Sequence, residues 1–208
     1  IKQKFNFEVK HTMKTFNKTL IAAATLTTFG LAAAPAAVAL DASASIATSY
    51  LWRGTELGTG EAALAVDVSD SMGALSYGLW VSSGDEGSTE YDLYASYGGS
   101  LGAVGYSIGY AKYEYSANAV SQLSDYIYGL SYGPASITIY DDTNSDYEYT
   151  VVGYEAGAFS FAYGEHDGGM DDMTHFDVSY AVNDSLSLTV SDSDDNDTIV
   201  VASYTLPF

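Results

Sequence analysis

The chain has 208 residues, no cysteine, 27 Asp and Glu against seven Lys and Arg, and a formal net charge of -20. That composition excludes a disulfide framework and a thiolate metal site, and it disfavours nucleic acid and anionic lipid headgroups as partners while favouring cations. An acid excess also keeps proteins soluble in salty water, so habitat and ion selection are both readings of it.

In chain order, residues 1–12 ("IKQKFNFEVKHT") fit no targeting signal and read as upstream read-through. Residues 13–39 have the layout of a secretory signal peptide: Met13, then Lys14 and Lys18, then an Ala-rich apolar stretch closing on Ala37-Val38-Ala39, a small-x-small cleavage site. The mature chain is expected to start at Leu40. A transmembrane anchor is the rival, weakened by the threonines and Pro35 that interrupt the stretch. Residues 40–208 form one expected domain, in which Arg53 and Lys112 stand as the basic residues against every acid of the chain but Glu8.

From residue 42 onward, eight to ten residues of period-2 alternation repeatedly give way to Gly, Ser, Asn and Asp, with no sustained helical period. This predicts an all-β chain of twelve antiparallel strands near 42–52, 61–69, 74–83, 90–98, 103–113, 124–132, 135–141, 147–156, 158–165, 174–181, 185–192 and 198–206. The connections alternate in kind. Longer, mostly acidic loops ("RGTELGTG", "GDEGST", "GEHDGGMDD") alternate with tight turns at Gly133-Pro134 and Ala156-Gly157, the asymmetry of an outer-membrane barrel with its longer loops outside.

Alternation is sharp in "EYDLYASY", where Tyr91, Leu93, Ala95 and Tyr97 oppose Glu90, Asp92, Tyr94 and Ser96. A soluble sandwich or lipocalin-like barrel would bury the apolar set, and a membrane barrel exposes it. The export signal, the 19 tyrosines, read as interfacial girdles, and the closing "VVASYTLPF" favour exposure to lipid. The closing segment is expected to pair with the first strand so that no edge is left unbonded in hydrocarbon. The other parity is rich in Ser, Gly and Ala, too small to fill a twelve-stranded interior, which predicts a narrow water-filled passage; a steeply tilted, closed interior is the alternative. No loop is long enough to be expected inside as a plug.

"ATSYLWRGTELGTGEAALAVDVSDSMGALSYGLWVSS" and "TEYDLYASYGGSLGAVGYSIGYAKYEY" are similar to the N-terminal half of TorF-type porins, the Gcw_chp family of proteobacterial proteins. The resemblance is carried by Tyr50, Trp52-Arg53-Gly54, Asp67, Trp80 and Glu90 through Tyr94, and extends to the later hairpins. The chain departs from the pattern in its scarcity of Lys and Arg and in ending "TLPF". The resemblance implies an outer-membrane barrel with a porin role.

The candidate pore-lining residues are Arg53, Asp67, Trp80, Glu90, Asp92, Asp125, His175 and Asp177. Arg53 has lumen parity at the outer end of the first expected strand. Among carboxylates it would set a transverse field, or serve as a structural ion pair. The expected function is passive diffusion of small hydrophilic solutes with cation or zwitterion preference, in outer-membrane lipid, without a cofactor. Assembly machinery is an expected partner through the C-terminal strand, whose terminal aromatic resembles an assembly signal. A non-conducting structural or adhesive barrel is the alternative. A barrel lipid hydrolase or acyltransferase is a further one, resting on His175 and Asp177 without a marked serine nucleophile.

Overall fold

The computed structural model describes residues 40–58, 60–85, 88–117, 123–169, 172–194 and 196–208. The read-through, signal-peptide and cleavage expectations for residues 1–39 lie outside the described residues.

Twelve antiparallel strands close into a barrel. They are β1 (Asp41–Ala47), β4 (Ala63–Met72), β5 (Leu75–Asp85), β6 (Ser88–Leu101), β7 (Val104–Tyr115), β8 (Leu123–Tyr132), β9 (Ala135–Asp142), β10 (Glu148–Ala156), β11 (Phe159–Asp167), β12 (Thr174–Ala181), β13 (Leu186–Ser193) and β14 (Ile199–Pro207). Each pairs with its chain neighbour, and β14 returns to β1 with Ala44 opposite Leu206 and Ile46 opposite Tyr204. The Phe208 amide donates to the Ala42 carbonyl at 2.8 Å, extending that seam by one bond. Among the described residues, closure leaves no unpaired edge in the twelve-stranded wall.

Two further strands, β2 (Tyr50–Trp52) and β3 (Thr55–Leu57), form a separate two-stranded hairpin between β1 and β4. This corrects the sequence expectation twice. The first barrel strand stops at Ala47 rather than running to residue 52, and the segment that follows does fold inside the barrel. The physical reason is local. Gly54 and Arg53 take φ of 81° and 48°, reversing the chain between Trp52 and Thr55, which pair with each other.

Tight turns at Gly73, Gly102, Gly133 and Gly157, with φ of 57° to 66°, gather at one end, the turn end, together with the start of β1 and the end of β14. The longer connections gather at the other, the loop end. The alternation sorts the two faces. Leu64, Leu93, Ile108, Tyr128, Leu130, Val190 and Leu206 are exposed on the outside, whereas Glu90, Asp92, Asp125, Asp177, Ser187 and Ser191 are buried within. That is the inverse of a water-soluble barrel, and hydrocarbon rather than water solvates such an exterior.

Candidate functional site

The interior is unequal along its length. Toward the turn end Ser76, Gly78, Ser107, Gly129 and Ser131 keep partial exposure, whereas Ser187, Ser203 and Thr205 are buried. Toward the loop end the β2–β3 hairpin crosses the interior and touches three parts of the wall. Leu51, 1% exposed, packs with Ala47 of β1 and Val201 of β14. Tyr50 donates a 2.7 Å hydrogen bond to Glu90 of β6, and its ring lies 6.0 Å from that of Trp80 on β5. The tip, Arg53-Gly54, reaches the wall from β8 to β12.

Arg53 is 4% exposed. Its guanidinium lies 4.4 Å from the Tyr140 ring centroid, 4.8 Å from Tyr149, 4.8 Å from Trp52 and 5.7 Å from Tyr147. Nη2 donates to Asp125 Oδ2 at 2.7 Å, and the same oxygen accepts from the Tyr113 hydroxyl at 3.0 Å. Nη1 donates to the Tyr147 hydroxyl at 3.2 Å. The ring closes through His166, which is fully buried. Its Nε2 lies 2.8 Å from the Arg53 carbonyl, which can only accept, so Nε2 carries the proton. Neutral His166 then accepts from Tyr147 at Nδ1, 2.8 Å away. Burial pushes the Tyr147 phenol up while Arg53 draws it back, and the balance leaves it protonated and able to donate. In the hairpin, burial followed by the Glu90 carboxylate raises the Tyr50 phenol likewise.

Gly54 rests on His175. A Cβ there would lie 2.4 Å from the ring Cγ, closer than real contacts permit. The His175 ring is itself fixed, Nδ1 facing Asp177 Oδ1 at 3.0 Å and Nε2 facing the Tyr149 hydroxyl at 2.8 Å. This Asp-His-Tyr relay has the connectivity of a hydrolytic triad. Its third member, however, is a phenol that also walls the Arg53 cage, and the relay lies buried beneath Gly54.

The remaining candidates sit as follows. Trp80 faces inward opposite Asp92, which pairs in register with Tyr113 on its other side. Asp92 is 1% exposed, and neither carboxylate oxygen has a hydrogen-bond partner among the described residues. Glu90 accepts from Tyr50 and, at 2.8 Å, from Tyr115. Asp67 belongs to a separate pair, accepting from Tyr94 at 2.8 Å. The structure therefore brings Arg53 and Asp125 together, and gathers His175 and Asp177 under the same hairpin. Arg53 reaches this place from the hairpin tip and not from the first strand.

Sequence reasoning missed Tyr113, Tyr140, Tyr149 and His166 as interior groups. The tyrosines were read as interfacial girdles and His166 as a loop residue. Parity held the signal: Tyr140 follows Ser136 and Thr138 on the inward face of β9, and His166 stands opposite Tyr149 in the β10–β11 ladder.

No family model and no curated protein matches the sequence. Among solved structures, a KdgM porin in complex with disordered oligogalacturonate is 11% identical with a TM-score of 0.48, over 81% of this chain and 97% of that one. A Rh. blastica porin mutant is 14% identical at 0.43, over 70% and 55%. Outer membrane phospholipase A from Escherichia coli is 8% identical at 0.48, over 81% and 92%. The likeness is one of barrel architecture; the functional reading rests on this chain's own residues.

Proposed function

We propose that the chain is a porin-like channel of a bacterial outer membrane, passing small hydrophilic solutes with a preference for cations and zwitterions, and that the β2–β3 hairpin forms its constriction. The observation that carries this reading is an acid-rich, polar interior inside an apolar exterior, spanned at the loop end by a hairpin that is not part of the wall. One arginine, paired with Asp125, stands in an interior that also holds the buried acids Glu90 and Asp177, so acid outnumbers base there and the local field favours positive charge. The resemblance to TorF-type porins supports the same function, and the longer loops at the hairpin end support its placement on the outer side.

A second reading is a closed barrel that does not conduct. It is favoured by the burial of Leu51, Arg53, Tyr140 and His166 where the hairpin crosses.

Single-channel recording of the refolded protein in a planar bilayer under a salt gradient separates the two. A second protein, with residues 50–57 replaced by a short Gly-Ser linker, completes the test. Cation-selective steps that grow when the hairpin is replaced support the channel. A silent wild type beside a conducting variant makes the hairpin a plug. Silence in both, with the barrel folded, refutes the channel.

A further inference from the structure

The cage around Arg53 is made of two kinds of part. Arg53 and Trp52 belong to the hairpin, whereas Tyr140, Tyr149, Tyr147 and the Asp125 carboxylate belong to the barrel wall and its loops. If the hairpin lifts, the planar cation leaves, and three aromatic faces, a carboxylate and the Tyr147 hydroxyl stay behind. Aromatic faces at 4.4 to 5.7 Å from a guanidinium carbon, closed on one side by a carboxylate, are the recognition chemistry of a guanidinium group.

A second observation points to a cation that the protein does not itself supply. Asp92 is buried in the same interior, its cross-strand partner Tyr113 touches Asp125, and both of its oxygens lack a partner among the described residues. A buried carboxyl without a partner either keeps its proton or takes a cation beside it, so a cation that entered past Asp125 would find an acceptor in Asp92. Arg53 meanwhile uses one carboxylate oxygen through Nη2 and finds no acceptor for Nε among the described residues, so its own hold on the cage is incomplete.

We propose that this cage is a guanidinium-binding site occupied by the chain's own Arg53 as a tethered ligand, and that solutes bearing a guanidinium group displace Arg53 to enter the interior past Asp125 and Asp92. The passage of such solutes rests on the channel reading above; the binding does not, and is tested without conductance.

The experiment uses Arg53→Gly, because Arg53 already sits at φ 48°, where glycine is unstrained. The variant is refolded in detergent and titrated with methylguanidinium by calorimetry, with methylammonium as the competitor of equal charge. The expected result is binding to the variant at least about tenfold tighter than methylammonium, and at least about tenfold tighter than methylguanidinium binds the wild type, whose cage is filled. The added change Asp125→Asn should abolish it. If Arg53→Gly does not fold alone, refolding yield becomes the readout, and methylguanidinium but not methylammonium should restore it. Equal effects of the two cations, or binding unchanged by Asp125→Asn, would overturn the proposal. Selective binding in a barrel that never conducts would uphold the site while refuting the channel.

Discussion

Replacing Gly54 by alanine should unseat the hairpin while leaving the barrel intact. Two effects add. At φ 81° a residue with a Cβ is strained by about 1 to 2 kcal/mol. The new methyl also meets the His175 ring at 2.4 to 2.7 Å, and overpacking of that kind costs about 1 to 3 kcal/mol. The ring has no easy retreat, since moving it breaks its bonds to Asp177 and Tyr149. The sum, about 2 to 5 kcal/mol, shifts the balance between seated and lifted hairpin by roughly 30-fold to several thousand-fold. Gly54 takes no part in the barrel ladder, so the wall should remain closed. The protein is reconstituted in vesicles and exposed to chymotrypsin, with Tyr50, Leu51 and Trp52 as the cleavage positions, and its single-channel conductance is recorded in parallel. Faster cleavage at these positions with larger conductance is expected. Wild-type rates of cleavage and wild-type conductance in a folded Gly54→Ala protein would refute the seating of the hairpin on His175.

Other substitutions probe the wall and the interior separately. Tyr149→Phe removes the hydroxyl facing His175 Nε2 at 2.8 Å and should lower stability by about 1 to 3 kcal/mol, read from urea unfolding in vesicles; an unchanged midpoint would count against the relay. Ile108→Arg places a charge on the exposed outer face of β7 and should cost about 2 to 4 kcal/mol at mid-bilayer depth, read in the same assay. Tolerance of that arginine would refute the lipid-facing assignment. Asp92→Asn replaces a buried carboxyl without a partner among the described residues by a neutral amide of similar shape, so the variant should be at least as stable as the wild type in the same assay. A loss of stability would show that Asp92 is engaged by a partner.

The barrel was legible because its evidence is local and repeated. A period of two assigns a face to every residue of a strand, so "EYDLYASY" alone places Glu90 and Asp92 inside and Leu93 outside, and eleven further strands repeat the test. The hairpin was illegible for the opposite reason. "SYLWRGTEL" has the β propensity of a strand, so propensity alone joins Tyr50, Leu51 and Trp52 to the end of β1. Yet three large apolar residues in a row break the alternation that a wall strand in lipid requires, because one parity would carry Leu51 and the other Tyr50 and Trp52. Both sets can be satisfied only where the segment is covered on both sides, which inside this barrel is what Leu51 against Val201 and Tyr50 against Glu90 provide.

The same argument bears on why the interior tyrosines were misassigned. A tyrosine can sit at a lipid interface or in a polar interior, since it has an apolar ring and a hydroxyl that needs a partner. Composition therefore cannot choose between the two, but parity can. Tyr128 and Tyr132 lie on the outer face of β8, whereas Tyr113, Tyr140 and Tyr149 lie on inner faces and each has its ring or hydroxyl engaged near Arg53. What parity cannot show is the partner, because Arg53 comes from a segment with no register to the wall. Four aromatic residues on inner faces or in nearby loops would be poor lining for a plain aqueous passage. They become intelligible once a cation is held among them, so the tyrosine content of the chain is divided between a lipid-facing role and the cage.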